Sequence, residues 1–487
     1  MVSLSLMVVS VYIVGLLGIG VYFYVTSETE RISDFMLGGR DVGVTQIAIS
    51  DASSLQSGFV LLAWVGVGYT TGLSGLWYAV PITFVHLFVY RFIGSKFRRQ
   101  SEELDSQTVL DHLSLYFKHN RLSSWIRTMG VLAIAIFMTV YIGAQIIAVG
   151  ETVNTLYGIN YNIGIVIGGA LVLAYVLLGG FDASVWTDFI QGMLAIVAVV
   201  VLPIIMIMHI GGFSAFISEA QAIDPTLVSA NPGLGLSEFL LFALTWYGFA
   251  LGLLGQPHGL MRLQAINSER NISAASVTAV TWMTISFIGP LFIGVAGRII
   301  FGDVGNPETV GLVAMQGMFP DVIGGILVAG ILGVILSTTD SMMLVVSADF
   351  TSYYRNVLNP GVSEKKLIYL GRVVVTVVAT IGVALAYVNS STIFAVIQFA
   401  YMGLAAAFGI PLVATLWWNK TTSEAVFATI LIGIMSTVAN KLLFPDYFPI
   451  FSLLATVATM IVVGYLSHEN GVLSISSTSD REVSVND

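Results

Sequence analysis

The amino-acid sequence predicts an all-α polytopic membrane protein of thirteen transmembrane helices, with a five-plus-five inverted-repeat core that contains broken helices. Three observations carry that reading. Of the 487 residues, 56% are hydrophobic and only 10% are charged, against about 25% charged in a soluble globular chain. The apolar stretches have helix length, not the ~10-residue alternation of a membrane barrel. Two of those stretches are interrupted by polar, glycine or proline residues at matching places.

The first span is Leu4–Val25. No Lys or Arg precedes it, so it lacks the basic start of a signal peptide and reads as a permanent helix. Further apolar spans lie at about 44–67, 74–95, 124–150, 160–178, 185–210, 238–258, 272–299, 322–348, 367–388, 392–417, 424–442 and 448–466. Residues 1–467 therefore form one transmembrane domain. The helix 4–25 stands outside the core, the repeats cover about 44–210 and 238–417, and two more helices occupy 424–466. The tail 468–487 is rich in Ser, Asp and Glu and reads as disordered and cytoplasmic.

Charge tests the count. With the N-terminus outside, seventeen of the nineteen Lys and Arg residues fall in inner loops, and only Arg298 and Lys441 fall outside. That asymmetry is the positive-inside rule, and a miscounted helix would reverse every later loop. The reading is a multi-pass plasma-membrane protein with a cytoplasmic C-terminus. The inner loop 96–121 carries an amphipathic segment, Val109–Phe117, expected at the interface. The outer loop Gly211–Leu236 holds the turn signals Asp224-Pro225 and Asn231-Pro232-Gly233.

Composition excludes several classes. There is no cysteine, hence no disulfide framework or thiolate metal site. A net charge of −9 argues against nucleic acid as a partner. No HExxH, GxSxG or Walker A motif is present, so no enzyme is expected.

Polar stretches inside or at the edge of the apolar spans carry the chemistry. Ser50-Asp51-Ala52-Ser53-Ser54-Leu55-Gln56-Ser57-Gly58 sits inside the second span. Unwound backbone in lipid is tolerated only where protein buries it or where it lines a cavity, and such an interruption is the best sequence pointer to a transport site. Leu254-Gly255-Gln256-Pro257-His258 interrupts the first helix of the second repeat at a corresponding place. Ser337-Thr338-Thr339-Asp340-Ser341 puts five hydroxyl or carboxylate groups in a row within 322–348. Asp188 enters the membrane after a glycine turn at Gly179-Gly180, one turn past Ser184. Tyr141 and Gln145 lie one turn apart on 124–150. Hydroxyls and freed carbonyls at Ser53, Gln56, Ser337 and Thr338 are the oxygens a hard cation such as sodium wants. Asp51 lies one turn before Leu55; there it would serve as a counter-charge to that ion, or pair with a structural donor near the cytoplasmic end of the helix and leave the site without a carboxylate.

In order along about 430 residues, Asp34-Phe35-Met36-Leu37-Gly38-Gly39-Arg40, Ser57-Gly58, Gly179-Gly180 with Trp186-Thr187-Asp188 and Gln191, Gly255-Gln256-Pro257-His258 with Arg262, and Ser337-Thr338 resemble the sodium/solute symporters, most of all their sodium/proline branch. The resemblance implies the same thirteen-helix architecture with its N-terminus outside. It also implies sodium-coupled import of a small organic solute, proline or a related amino acid, by alternating access. It places the main sodium at the carbonyls of Ser53, Gln56 and Val334 with Ser337 and Thr338, and the second sodium that some members bind at Asp188, Ser337, Asp340 and Ser341. The solute pocket falls on Ser57, Gly58, Phe59, Tyr141, Phe249, Leu253 and Pro257. The chain departs from proline transporters of this type at Leu55, where they carry Asp. They also carry Trp at the positions of Phe59 and Phe249, and Tyr at that of Leu253, so this pocket is the more apolar. The expected partners are the solute, sodium and the bilayer, with the monomer as functional unit. A membrane sensor and a symporter of another solute, such as a monocarboxylate, are the alternatives. A sensor should carry a soluble output domain, and the 20-residue tail is too small to be one.

Overall fold

Helices follow the apolar spans because in lipid every backbone N–H and C=O must be satisfied within the segment. The computed structural model describes residues 4–26, 44–388 and 391–483, and every regular element among them is helical. In chain order the α-helices are α1 (Leu4–Thr26), α2 (Val44–Gly58), α3 (Trp64–Thr71), α4 (Leu76–Phe88), α5 (Ser95–Glu103), α6 (Val109–Tyr116), α7 (Ser123–Tyr157), α8 (Tyr161–Ile210), α9 (Phe213–Ile223), α10 (Leu236–Leu251), α11 (Pro257–Ala265), α12 (Glu269–Phe301), α13 (Val310–Met318), α14 (Asp321–Tyr353), α15 (Glu364–Val388), α16 (Ile393–Leu404), α17 (Ile410–Trp417), α18 (Ser423–Leu443) and α19 (Phe448–Val483). The motif Asp34–Arg40 lies outside the described residues.

Eleven helical stretches among the described residues are long and apolar enough to cross a membrane. One of them, Gln46–Glu103, has 58 residues, which at about 1.5 Å per residue is far more than one crossing of a ~30 Å core needs. Tyr161–Ala174 is apolar but shorter. The element α8 is helical throughout Tyr161–Ile210, including the stretch read as a glycine turn, whose side chains at 178–183 are not among those described.

Two further expectations change. The segment α6 is not a surface float, because all its side chains from Val109 to Ser114 are buried. Its N-terminus is capped by Thr108, whose hydroxyl accepts from the Asp111 N–H at 3.0 Å. Asp111 then clamps it to the bundle through Arg127 at 2.7 Å and Ser352 at 2.9 Å. At the C-terminus α19 continues to Val483, into the stretch read as a disordered tail. No proline follows Pro449 to stop it.

The bundle is centred on α14. Every side chain from Leu327 to Asp349 is buried, so this helix is surrounded by protein on all sides. It packs against α8, α7, α2 and α1. The run 337–341 therefore faces other helices and not lipid.

Candidate ion and solute site

The two interruptions become two broken helices. In α2 the break falls at Ser57, with φ 54° and ψ −174°. That region is almost reserved for glycine, and a residue held there stores strain of order 1–3 kcal/mol. Local bonds hold it. Ser57 Oγ accepts from the Phe59 N–H at 3.0 Å, and the Gly58 N–H donates to Gln145 Oε1 at 2.8 Å. Gly58 must be glycine, because a Cβ there would meet Ala148 Cβ at 2.8 Å. The second break follows α10. A single 3-10 turn, Gly252–Gly255, leads to extended Gln256, and Pro257 opens α11, where its missing N–H costs nothing. Gln256 Nε2 donates to the carbonyls of Gly252 at 2.9 Å and Tyr401 at 3.0 Å.

Around the first break lie buried oxygens without hydrogen-bond partners: Ser53 Oγ, Gln56 Oε1 and Ser337 Oγ. Gln56 Nε2 is occupied by Ser286 Oγ in a short contact. Thr338 Oγ1 donates to the Val334 carbonyl at 3.1 Å, which leaves lone pairs on both oxygens. Burying unpaired polar atoms is costly. Neutral oxygens gathered this way fit a hard monovalent cation.

A charged cluster sits beside them. Asp188 Oδ2 accepts from Ser50 Oγ at 2.7 Å and from Arg262 Nη2 at 2.5 Å. Arg262 also donates to Ser50 Oγ at 2.8 Å, to Ser341 Oγ at 2.6 Å and to the His258 carbonyl at 2.9 Å. Asp340 Oδ1 accepts from Ser184 Oγ and Ser341 Oγ, each at 3.0 Å. Ser337 lies beside Asp188 yet outside hydrogen-bond geometry with it. The residues read as a second sodium site thus come together, but a guanidinium already holds one of the carboxylates. Asp51 is turned the other way: its hydrogen-bond partners are Tyr90 at 2.7 Å and His86 at 3.0 Å.

The expected solute residues also converge. Ser57 Oγ and Tyr141 OH are 3.5 Å apart. Phe59 touches the rings of Trp64, Tyr78, Phe249, Phe287 and Phe394, with centroids 5.8–6.0 Å away. Phe249 stacks on Tyr78 at 4.7 Å and meets Tyr401 edge-on at 5.1 Å. Leu253 is buried on the 3-10 turn. The Tyr401 hydroxyl has no hydrogen-bond partner and lies near those of Tyr78 and Tyr141. Tyr78, Tyr401 and Ser286 were not read from the sequence as site residues, and Ser50 was read only as part of the polar stretch Ser50–Gly58. Single aromatic or hydroxyl residues within apolar spans give no local signal.

Residues 35–433 match the model of the sodium:solute symporter family. The chain belongs to the sodium:solute symporter family. Among its curated relatives, the osmoregulated proline transporter OpuE of Bacillus subtilis (strain 168) is 32% identical over 429 residues, covering 87% of this chain and 86% of that protein. The sodium/proline symporter of Escherichia coli (strain K12) is 30% identical over 441 residues, covering 88% and 86%. A solved Na+-coupled sialic acid symporter in a substrate-bound outward-open state superposes with a TM-score of 0.79, over 95% of this chain and 97% of that one, at 19% identity. The fold is therefore that of a family symporter. The protein is a multi-pass membrane transporter and not an enzyme.

Proposed function

We propose that this symporter imports a small carboxylate-bearing solute, proline or a related amino acid, by coupling it to sodium through alternating access. One observation carries the reading: unpartnered oxygens of Ser53, Gln56 and Ser337 lie around a helix break whose other side, Ser57–Phe59, borders a packed cluster of aromatic rings. An ion bound there stabilises the same backbone that the solute touches, and coupling needs only that each favours one arrangement of the bundles. Sodium takes Ser53, Gln56, Val334, Ser337 and Thr338. Asp188, Asp340 and Ser341 take a second cation when Arg262 withdraws. Asp51 adds counter-charge through space. The solute takes Ser57, Gly58, Phe59, Tyr141, Phe249, Leu253 and Pro257, with Tyr401 as a further hydroxyl. The chain crosses the plasma membrane thirteen times, N-terminus outside and C-terminus inside, and works as a monomer.

The names of the proline-transporting relatives support the solute class. The apolar residues Phe59, Phe249 and Leu253 support a preference for solutes with larger apolar parts than proline. Uptake of a labelled amino-acid panel into proteoliposomes, with and without an inward sodium gradient, tests both. Sodium-driven accumulation of at least one member is expected. Equal uptake without sodium would overturn the coupling.

A further inference from the structure

The outlying helix α1 brings one hydroxyl to the ion site, and no step above uses it. Most of α1 faces away from the bundle. Val9 and Leu16 are the exceptions, 3% and 4% exposed. Tyr12 stands between them on the same stripe, three residues after one and four before the other. That stripe packs along α14 and α8. Glycines on α14 let α1 come close. A Cβ at Gly325 would meet the Ser5 backbone at 3.0 Å, and one at Gly333 would collide with the Tyr12 hydroxyl and come within 2.7 Å of Gln191 Cγ.

This contact lies next to the charged cluster. Gly333 is one turn from Ser337 on α14, and Gln191 is one turn from Asp188 on α8. The two helices pack against each other. Asp188 acts electrostatically on Tyr12. Tyr12 stands beside the Gln191 amide, yet outside hydrogen-bond geometry with it.

Four oxygens here are buried without hydrogen-bond partners: the Tyr12 hydroxyl, Gln191 Oε1, Asp188 Oδ1 and Ser337 Oγ. Asp188, Gln191 and Ser337 are 0% exposed. Asp188 Oδ2 is taken by Ser50 and Arg262, so Oδ1 is the oxygen left to a ligand. Gln191 Nε2 is unpartnered as well, so nothing fixes the amide and its oxygen is free to turn to a guest. A buried tyrosine hydroxyl usually has a partner, and each buried polar atom without one costs stability. One carboxylate oxygen among three neutral oxygens suits a hard monovalent cation. Packing alone would be served by phenylalanine at position 12 and leucine at position 191.

We propose that Tyr12 and Gln191 are further ligands of the second cation, closing its site from the side of α1 next to Asp188 Oδ1 and Ser337 Oγ. The first helix is then part of the ion machinery and not an anchor alone. This assignment rests on the sodium-symport reading.

The test heats purified full-length protein in detergent at a series of sodium chloride concentrations, with choline chloride holding the ionic strength constant. Sodium should raise the unfolding temperature of wild type, because a ligand of the folded state stabilises it. Tyr12→Phe keeps the ring and deletes one oxygen. It should raise the sodium concentration of half-maximal stabilisation by about two- to tenfold, the worth of one polar contact. Gly333→Ala displaces the same hydroxyl and serves if Tyr12→Phe does not fold. Gln191→Leu should match Tyr12→Phe. In proteoliposomes these variants should raise the sodium half-saturation of uptake by the same factor, with the solute half-saturation at saturating sodium unchanged. A packing role alone lowers the unfolding temperature without sodium and leaves the sodium midpoint where it was. An unchanged midpoint in Tyr12→Phe or in Gln191→Leu, with wild type responding to sodium, would overturn the assignment and leave sodium symport standing. A wild-type protein that sodium neither stabilises nor drives would sink both.

Discussion

The two sides of the broken helices are built from different materials. On the side of Ser50 the structure is a lattice of charges: Asp188, Arg262 and Asp340, with Ser50, Ser184 and Ser341 between them. On the side of Phe59 it is a stack of rings, in which Trp64, Tyr78, Trp246, Phe249, Phe287 and Phe394 touch one another with few polar atoms. Of the polar atoms there, Trp64 Nε1 donates to the Phe287 carbonyl at 2.8 Å, while the Tyr401 hydroxyl has no hydrogen-bond partner. A charge lattice is held by directional bonds and fails when one member is lost. A ring stack is held by shape and tolerates rearrangement. On the proposed reading, the ion is controlled from the first side and the solute is met on the second.

Breaking the charge lattice should have the largest effect. Arg262→Met leaves Asp188 buried without its cation, and loss of one partner of a buried pair costs about 3–5 kcal/mol. Transport should fall to background and the thermal unfolding temperature in detergent should drop well below wild type. Arg262→Lys keeps the charge but not the fork that reaches Ser50, Asp188 and Ser341 together, and should be intermediate. Wild-type stability in Arg262→Met would remove the lattice from the account.

The ring stack should yield less. Phe59 is 3% exposed and enclosed by five rings, so Phe59→Trp overpacks it at about 1–3 kcal/mol. Leu253→Tyr and Phe249→Trp should shift selectivity towards proline in a competition assay. A Phe59→Trp protein that is as stable as wild type would mean the stack is looser than its geometry.

The smallest effect belongs to the loop between α12 and α13. Glu308 is buried between two spans and accepts from the N–H groups of Ile393 and Phe394 at 2.8 Å each, which caps the start of α16. Burial raises its carboxyl above the ordinary range, against the opposing pull of those two donors. A carboxyl raised in the folded state contributes stability at low pH that is lost as pH rises through the raised value. Glu308→Gln should flatten that dependence and change stability by about 1 kcal/mol or less. A pH profile unchanged in Glu308→Gln would assign the dependence to another group.

Much of this contrast was legible in the sequence. Four serines, a glutamine and a glycine between Ser50 and Gly58 announce a break, because their side chains compete with the helix for backbone bonds. Gly255-Gln256-Pro257 announces the second. The basic residues fix the expected orientation without any structure. Arg262 meeting Asp188 across 74 residues was not legible, since nothing local distinguishes a paired arginine from a loop arginine. Nor was Asp51 turning to His86 and Tyr90: the pattern gave the face of α2 but not which neighbour covers it. The burial of α6 was hidden for the same reason, because an amphipathic pattern specifies an apolar partner without saying whether that partner is lipid or protein.

The claim at the centre is that sodium binds the unpartnered oxygens of the first break. The most direct measurement is the sodium half-saturation of solute uptake by wild type, Ser337→Ala and Thr338→Ala in proteoliposomes. Removing one oxygen ligand should raise it about tenfold, the equivalent of about 1.4 kcal/mol of binding, with the solute still transported at saturating sodium. Half-saturation unchanged in both variants, with wild-type amounts of protein in the membrane, would contradict the account.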